Sequence, residues 1–166
     1  LDKVPKNSIS LKEFREHDWN DVWEKTIEPV YIKDKLVIYP SWKKKELDLA
    51  GGRIPIEIDP KMSFGTGHNE TTQLILEQMT EFIDPVTDKY MLDFGSGTGI
   101  LSIAALKLGV AEAVAIEIDD DSIENSIECF RINEVESRIK LHQSDLKHAS
   151  QRDTETNACG ARREPI

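Results

Sequence analysis

Seven residues of this 166-residue chain carry its clearest chemistry: Asp93-Phe94-Gly95-Ser96-Gly97-Thr98-Gly99, set between a short apolar run and a helical one. Glycines at alternate positions let the backbone turn without a Cβ clash and approach a ligand closely, and the following helix presents N–H groups at its start. The plainer reading is a tight strand-to-helix turn. The spacing argues against two common ligands. A dinucleotide loop needs G-x-G-x-x-G, but Ile100 stands three places past Gly97 and the third glycine comes one place early. No G-x-x-x-x-G-K-S/T run is present to clamp a triphosphate. Glu117 follows twenty residues after Gly97, at the end of a second apolar run. That is the spacing at which a carboxylate takes ribose hydroxyls in a nucleoside-binding βαβ unit. Asp119, Asp120 and Asp121 are its rivals, with helix capping and the helix dipole as the other account of Asp120 and Asp121. Asp145 is placed for an adenine edge, or as a turn residue at a strand end.

These residues need a scaffold, and the pattern around them supplies one. Tyr90-Met91-Leu92 reads as a strand, Ile100 to Leu108 as a helix stopped by Gly109, and Val114-Ala115-Ile116 as a strand. A capped helix from about Asp120 to Asn133 and a strand Ile139-Lys140-Leu141 complete the series. Strands alternating with crossovers of this length must run parallel, as half of a doubly wound sheet. Upstream, Asn20 or Asp21 caps an amphipathic stretch holding Val22, Trp23 and Ile27, which Pro29 stops. Strands Leu36 to Tyr39 and Ile54 to Ile58 follow, separated by a lysine-rich connection. Asn69 caps a helix whose apolar positions are Leu74, Ile75, Met79, Phe82 and Ile83.

Composition narrows the function. The 21 basic and 31 acidic side chains give a net charge of −10, which disfavours a nucleic-acid partner. Two cysteines build no disulfide framework and point to a reducing, cytoplasmic setting. Cys129 reads as core packing. The four histidines share no metal-ligand spacing, so no metal is expected, and no apolar run reaches the roughly 20 residues of a membrane span. Trp19, Trp23 and Trp42 read as packing residues.

The D-x-G-x-G-x-G arrangement resembles the first motif of class I methyltransferases that use S-adenosylmethionine, in which the acid and glycines meet the amino-acid half of the cofactor. Met62-Ser63-Phe64-Gly65-Thr66-Gly67-His68-Asn69-Glu70-Thr71-Thr72 resembles the pre-helix loop of the methyltransferases that modify large-subunit ribosomal protein eleven. The resemblance extends from Trp19 to Leu146. It implies that Thr72, Gly95 and Glu117 contact the cofactor, with Phe64, Thr66 and Gly67 lining the site and Asp93, Gly97 and Asp145 beside them. Where that family carries a histidine after the F-G-T-G loop, Asn69 stands here, with His68 one place earlier. The family continues into a fourth strand with an asparagine motif at the acceptor site, and nothing similar follows here, so no catalytic residue is assigned.

The expectation is thus an α/β chain with a Rossmann-like class I methyltransferase sheet cut short after the third parallel strand. Residues 1–60 are expected to form a linker helix and short strands, 61–147 the N-terminal half of the S-adenosylmethionine-binding domain, and 148–166 a disordered, solvated or artefactual tail whose one large aliphatic residue is the terminal Ile166. The implied activity is N-methylation of ribosomal protein eleven of the large subunit. The alternatives are an inactive cofactor-binding fragment, or the same chemistry on another protein or a small molecule.

Overall fold

The computed structural model describes residues 26–49, 51–59 and 66–145. The sequence expectations for Asn20 to Trp23, Met62 to Gly65 and the tail from 148 onward lie outside these residues. Two three-stranded sheets form. In the first, β1 (Val30–Ile32) pairs antiparallel with β2 (Leu36–Tyr39), which pairs parallel with β3 (Ile54–Glu57). As the central strand, β2 buries all four of its residues. Its connection to β3 passes through a 3-10 helix, Ser41–Glu46, where Lys43 pairs with Glu28 and Glu46, and Lys44 with Glu57. Trp42 on that helix is 40% exposed, so it is not the packing residue expected.

The second sheet is parallel, in the order β4 (Tyr90–Phe94), β5 (Glu112–Glu117), β6 (Ile139–Gln143). Helix α2 (Ile100–Leu108) crosses from β4 to β5 and α3 (Asp120–Ile132) from β5 to β6. Ala104 and Ala105 are fully buried, and their small size lets α2 lie close to the strands. Gly109 ends α2 at φ +114°, where a Cβ would also meet Pro85 at 2.7 Å. Helix α3 is capped by Asp119, whose side chain accepts the Ser122 N–H at 2.8 Å, rather than by the acids that follow it.

Helix α1 (Glu70–Phe82) starts at Asn69, whose side chain accepts the Thr71 N–H at 2.9 Å. Its buried face differs from the expected one. Thr72 and Leu76 point inward, while Leu74, Ile75 and Phe82 are 59, 40 and 73% exposed. Those outward residues join Gln78, Met79, Ile83 and Asp88 around an open apolar groove of about 400 Å³.

One core serves both sheets. Ile32, Leu36, Ile38 and Ile56 from the first sheet, with Ile58 just beyond β3, pack with Leu76, Ile103, Leu106, Ala115 and Phe130. Asn133 stitches the two layers together: its side chain accepts the Glu57 N–H at 3.0 Å and donates to the carbonyls of Glu57 at 2.7 Å and Cys129 at 2.8 Å. Cys129 is buried in this core, as expected. Among the described residues no helix is long and apolar enough to cross a membrane.

Candidate cofactor site

The glycine loop sits where β4 hands over to α2, beside the end of β5. Its main chain is bound inward. The N–H groups of Gly95 and Ser96 both donate to the Ile116 carbonyl, at 2.8 and 3.1 Å, and the Gly99 N–H donates to the Ser96 carbonyl at 2.7 Å. The Gly97 N–H donates to Glu117 Oε2 at 2.8 Å. The donors expected to face a ligand are, at these four positions, spent on the protein itself, because the loop must be fixed to a neighbouring strand to keep its shape.

Glu117 is held from three sides. Besides Gly97, the N–H groups of Ile118 and Asp119 donate to its Oε1 at 2.8 and 3.1 Å. A carboxylate offers about four acceptor positions, so one stays open on Oε2. Ribose diols present two hydroxyls, and accepting both here requires Glu117 to release one backbone donor.

Asp93 is buried beneath the loop and accepts the Ser102 hydroxyl at 2.8 Å. Burial raises its carboxyl above the ordinary value, with the Ser102 hydroxyl and N–H opposing and the Glu117 charge adding to the rise. Its observed partner is the first turn of α2, so Asp93 fastens the loop to the helix.

The glycines separate into two kinds. Gly99 has φ +75° and a Cβ there would lie 2.2 Å from Phe130, so packing against α3 demands it. Gly95 has φ +68° and nothing within 4 Å of its Cβ position. Open space beside a left-handed loop residue is what a closely approaching cofactor requires, so the geometry fits the implied nucleoside cofactor. Gly67 resembles Gly99, since its Cβ position lies 3.0 Å from Ile38 and 3.3 Å from Ile100.

Asp93, Gly95, Gly97 and Glu117 are thus brought together. The Ser144 N–H donates to the Glu117 carbonyl at 3.0 Å, which puts the partly buried Asp145 next to that strand end. Thr72 is buried in the first turn of α1, and Gln73 donates to the Gly67 carbonyl at 3.1 Å, tying that helix to the loop holding Thr66. The His68 ring lies within hydrogen-bond reach of the Thr66 and Glu28 carbonyls, at 3.2 and 3.0 Å. Phe64 lies outside the described residues.

A family model described as Ribosomal protein L11 methyltransferase (PrmA) matches residues 2–157. The chain belongs to the ribosomal protein L11 methyltransferase family. A relative with that name from Alkaliphilus oremlandii is 36% identical over 138 residues, covering 83% of this chain and 43% of the relative. Another, from Caldicellulosiruptor saccharolyticus, is 39% identical over 143 residues, covering 86% and 45%. The chain therefore spans less than half the length of these ribosomal protein L11 methyltransferases. The crystal structure of a ribosomal protein L11 methylase from Lactobacillus delbrueckii subsp. bulgaricus aligns with a TM-score of 0.66 at 28% identity, over 76% of this chain and 62% of that one. The parallel β4-β5-β6 sheet with its crossing helices is the expected Rossmann-like class I methyltransferase fold.

Proposed function

We propose that the chain is part of an S-adenosylmethionine-dependent protein N-methyltransferase whose substrate is ribosomal protein L11, and that it carries the cofactor half of the site. One observation supports this most directly: in a chain matched by that family model from 2 to 157, the glycine loop and Glu117 meet, Gly97 N–H to carboxylate at 2.8 Å, beside open space at Gly95. When bound, S-adenosylmethionine would supply the methyl group of a sulfonium: a neutral amine lone pair would form the N–CH3 bond in line as the S–CH3 bond breaks, its electrons staying on sulfur and S-adenosylhomocysteine leaving. Glu117 accepts a ribose hydroxyl on Oε2, Gly95 leaves room for close approach, and Asp93 holds the loop to α2 through Ser102. The family resemblance assigns Thr72, Thr66, Gly67 and Phe64 to the lining and Asp145 to the adenine side, Phe64 lying outside the described residues. Fixed positioning of this kind lowers a bimolecular barrier by up to about 7–11 kcal/mol when both reactants are held.

A second reading, cofactor binding without transfer, is favoured by one feature: among the described residues β4 is an edge strand whose Tyr90, Leu92 and Phe94 are exposed. Titration of the 166-residue chain with S-adenosylhomocysteine, with circular dichroism on the same sample, tests the first requirement. Saturable one-to-one binding supports the cofactor site, whereas a folded chain that binds nothing overturns it. Incubation with ribosomal protein L11 and methyl-labelled S-adenosylmethionine then separates the readings. Label on L11 amines supports transfer, and binding without label favours the second.

A further inference from the structure

We propose that His68 is a protonation-dependent latch on the loop leading into α1, whose ring exchanges one hydrogen-bond partner on Thr66 for another when it gains or loses a proton. The latch goes beyond the cofactor reading and does not rest on it. Both ring nitrogens meet acceptors: Nδ1 lies 3.2 Å from the Thr66 carbonyl and Nε2 lies 3.0 Å from the Glu28 carbonyl. A carbonyl oxygen only accepts, so holding both takes two N–H donors, and an imidazole has two only when it is charged. Nδ1 has a second neighbour, the Thr66 hydroxyl at 3.3 Å. That group donates, so it suits the bare Nδ1 of a neutral ring whose Nε2–H stays on Glu28. Thr66 therefore offers the same nitrogen an acceptor for the charged ring and a donor for the neutral one.

The surroundings separate a fixed side of this loop from a switchable one. Gly67 faces inward, with its Cβ position 3.0 Å from Ile38 and 3.3 Å from Ile100, and its carbonyl accepts the Gln73 side chain at 3.1 Å. Those contacts involve no ionisable group, so the inner side holds at any ordinary pH. On the outer side His68 joins Thr66 to Glu28, two residues ahead of β1. The ring is exposed, so water exchanges its proton directly. The charged groups on the elements that meet it are Glu70, in the first turn of α1, and the Glu28 carboxylate, which holds Lys43 at 3.0 Å, with Lys43 shared with Glu46 at 3.1 Å. Carboxylates and ammonium groups ordinarily keep their charge between about pH 5 and 8, whereas an imidazole changes its own. The charged ring thus pins the Thr66 main chain and leaves its hydroxyl for another partner, and the neutral ring takes the hydroxyl for itself.

The test is a double-mutant cycle on the full chain, with Thr66→Val, His68→Ala and both together, melted at about pH 5.5 and about pH 8. Thr66→Val removes the hydroxyl and keeps the carbonyl. It should lower the melting temperature by about 1–4 °C near pH 8, where the neutral ring uses the hydroxyl, and by clearly less near pH 5.5. In the His68→Ala background that difference between the two pH values should vanish. Nitrogen-15 NMR of the wild-type ring reads the switch directly: Nδ1 carries a hydrogen at the lower pH and loses it at the higher, while Nε2 keeps its own. A Thr66→Val effect equal at both pH values, a pH dependence that survives without His68, or a hydrogen that stays on Nδ1 near pH 8 each overturns the latch. Neither readout uses a cofactor, so these outcomes leave the cofactor reading standing, and a folded chain that binds no S-adenosylhomocysteine leaves the latch standing.

Discussion

The two flanks of β4 obey different rules. Its inner flank pairs with β5 from Tyr90↔Glu112 to Phe94↔Ile116 and continues into a loop whose amides are bound to Ile116 and Glu117. Its outer flank pairs with nothing among the described residues. On the helix-bearing face, Asp93 is buried and Met91 half-buried, while Tyr90, Leu92 and Phe94 alternate to the other face and are 79, 59 and 43% exposed. The apolar groove of α1 includes Asp88, two residues before this strand. The candidate site therefore depends on hydrogen bonds made within the three-stranded unit, and the open flank contributes nothing to the loop's geometry.

That separation is open to attack at several positions. The largest effect is expected at Gly99→Ala, where left-handed strain and the overlap with Phe130 together cost about 2–5 kcal/mol of stability. Denaturant unfolding checks it, and a near-neutral result shows that α3 is not tightly seated against the loop. Glu117→Ala comes next, weakening S-adenosylhomocysteine binding by about 1.5–3 kcal/mol through loss of charge-assisted hydrogen bonds, as read by calorimetry. Unchanged affinity removes Glu117 from the site. Gly95→Ala meets no atoms and should cost only the backbone strain, about 1–2 kcal/mol, while binding falls because the new methyl enters the open space. The contrast between Gly95 and Gly99 is the sharpest probe of which glycine serves a ligand and which serves packing.

Asp93→Asn tests the inner flank through pH. Because burial raises the native carboxyl of Asp93, the folded state holds its proton more tightly than the unfolded chain does. Wild-type stability from this group therefore falls as pH rises from the ordinary aspartate value, near 3.9, to the raised native one, and levels off above it. The variant should lack that slope, so its stability relative to wild type climbs across the same window in urea midpoints. A flat difference refutes the burial argument. The smallest effect belongs to the outer flank: Leu92→Lys should change stability by no more than about 0.5 kcal/mol, while charging an unpaired edge reduces self-association in light scattering. A large loss of stability there shows that the open flank is covered after all.

Much of this was readable in advance because it is local. The turn at Gly95 to Gly99, the caps at Asn69 and Gly109 and the parallel series β4-α2-β5-α3-β6 follow from period, capping and glycine placement over windows of a dozen residues. What escaped was short or long-range. β1 has three residues, and the hairpin to β2 turns through Lys33 at φ +48° without the glycine or asparagine that marks such turns. The buried face of α1 was misplaced because Leu74, Ile75 and Phe82 satisfy a helical period as well as Leu76 does, and periodicity does not say which stripe meets the core.

The sequence alone determined the chain's fold class, the glycine loop and the pairing of that loop with an acid twenty residues on, since each is encoded by residue type and spacing. Only the tertiary structure decided how the loop's hydrogen bonds are shared out. Glu117 is saturated but for one position, Asp93 serves Ser102, and the buried Ser96 hydroxyl has no partner among the described residues. Asn133 likewise reaches 76 residues back to the Glu57 backbone. Such assignments depend on which groups burial brings within about 3 Å of one another, and spacing along the chain does not carry that distance.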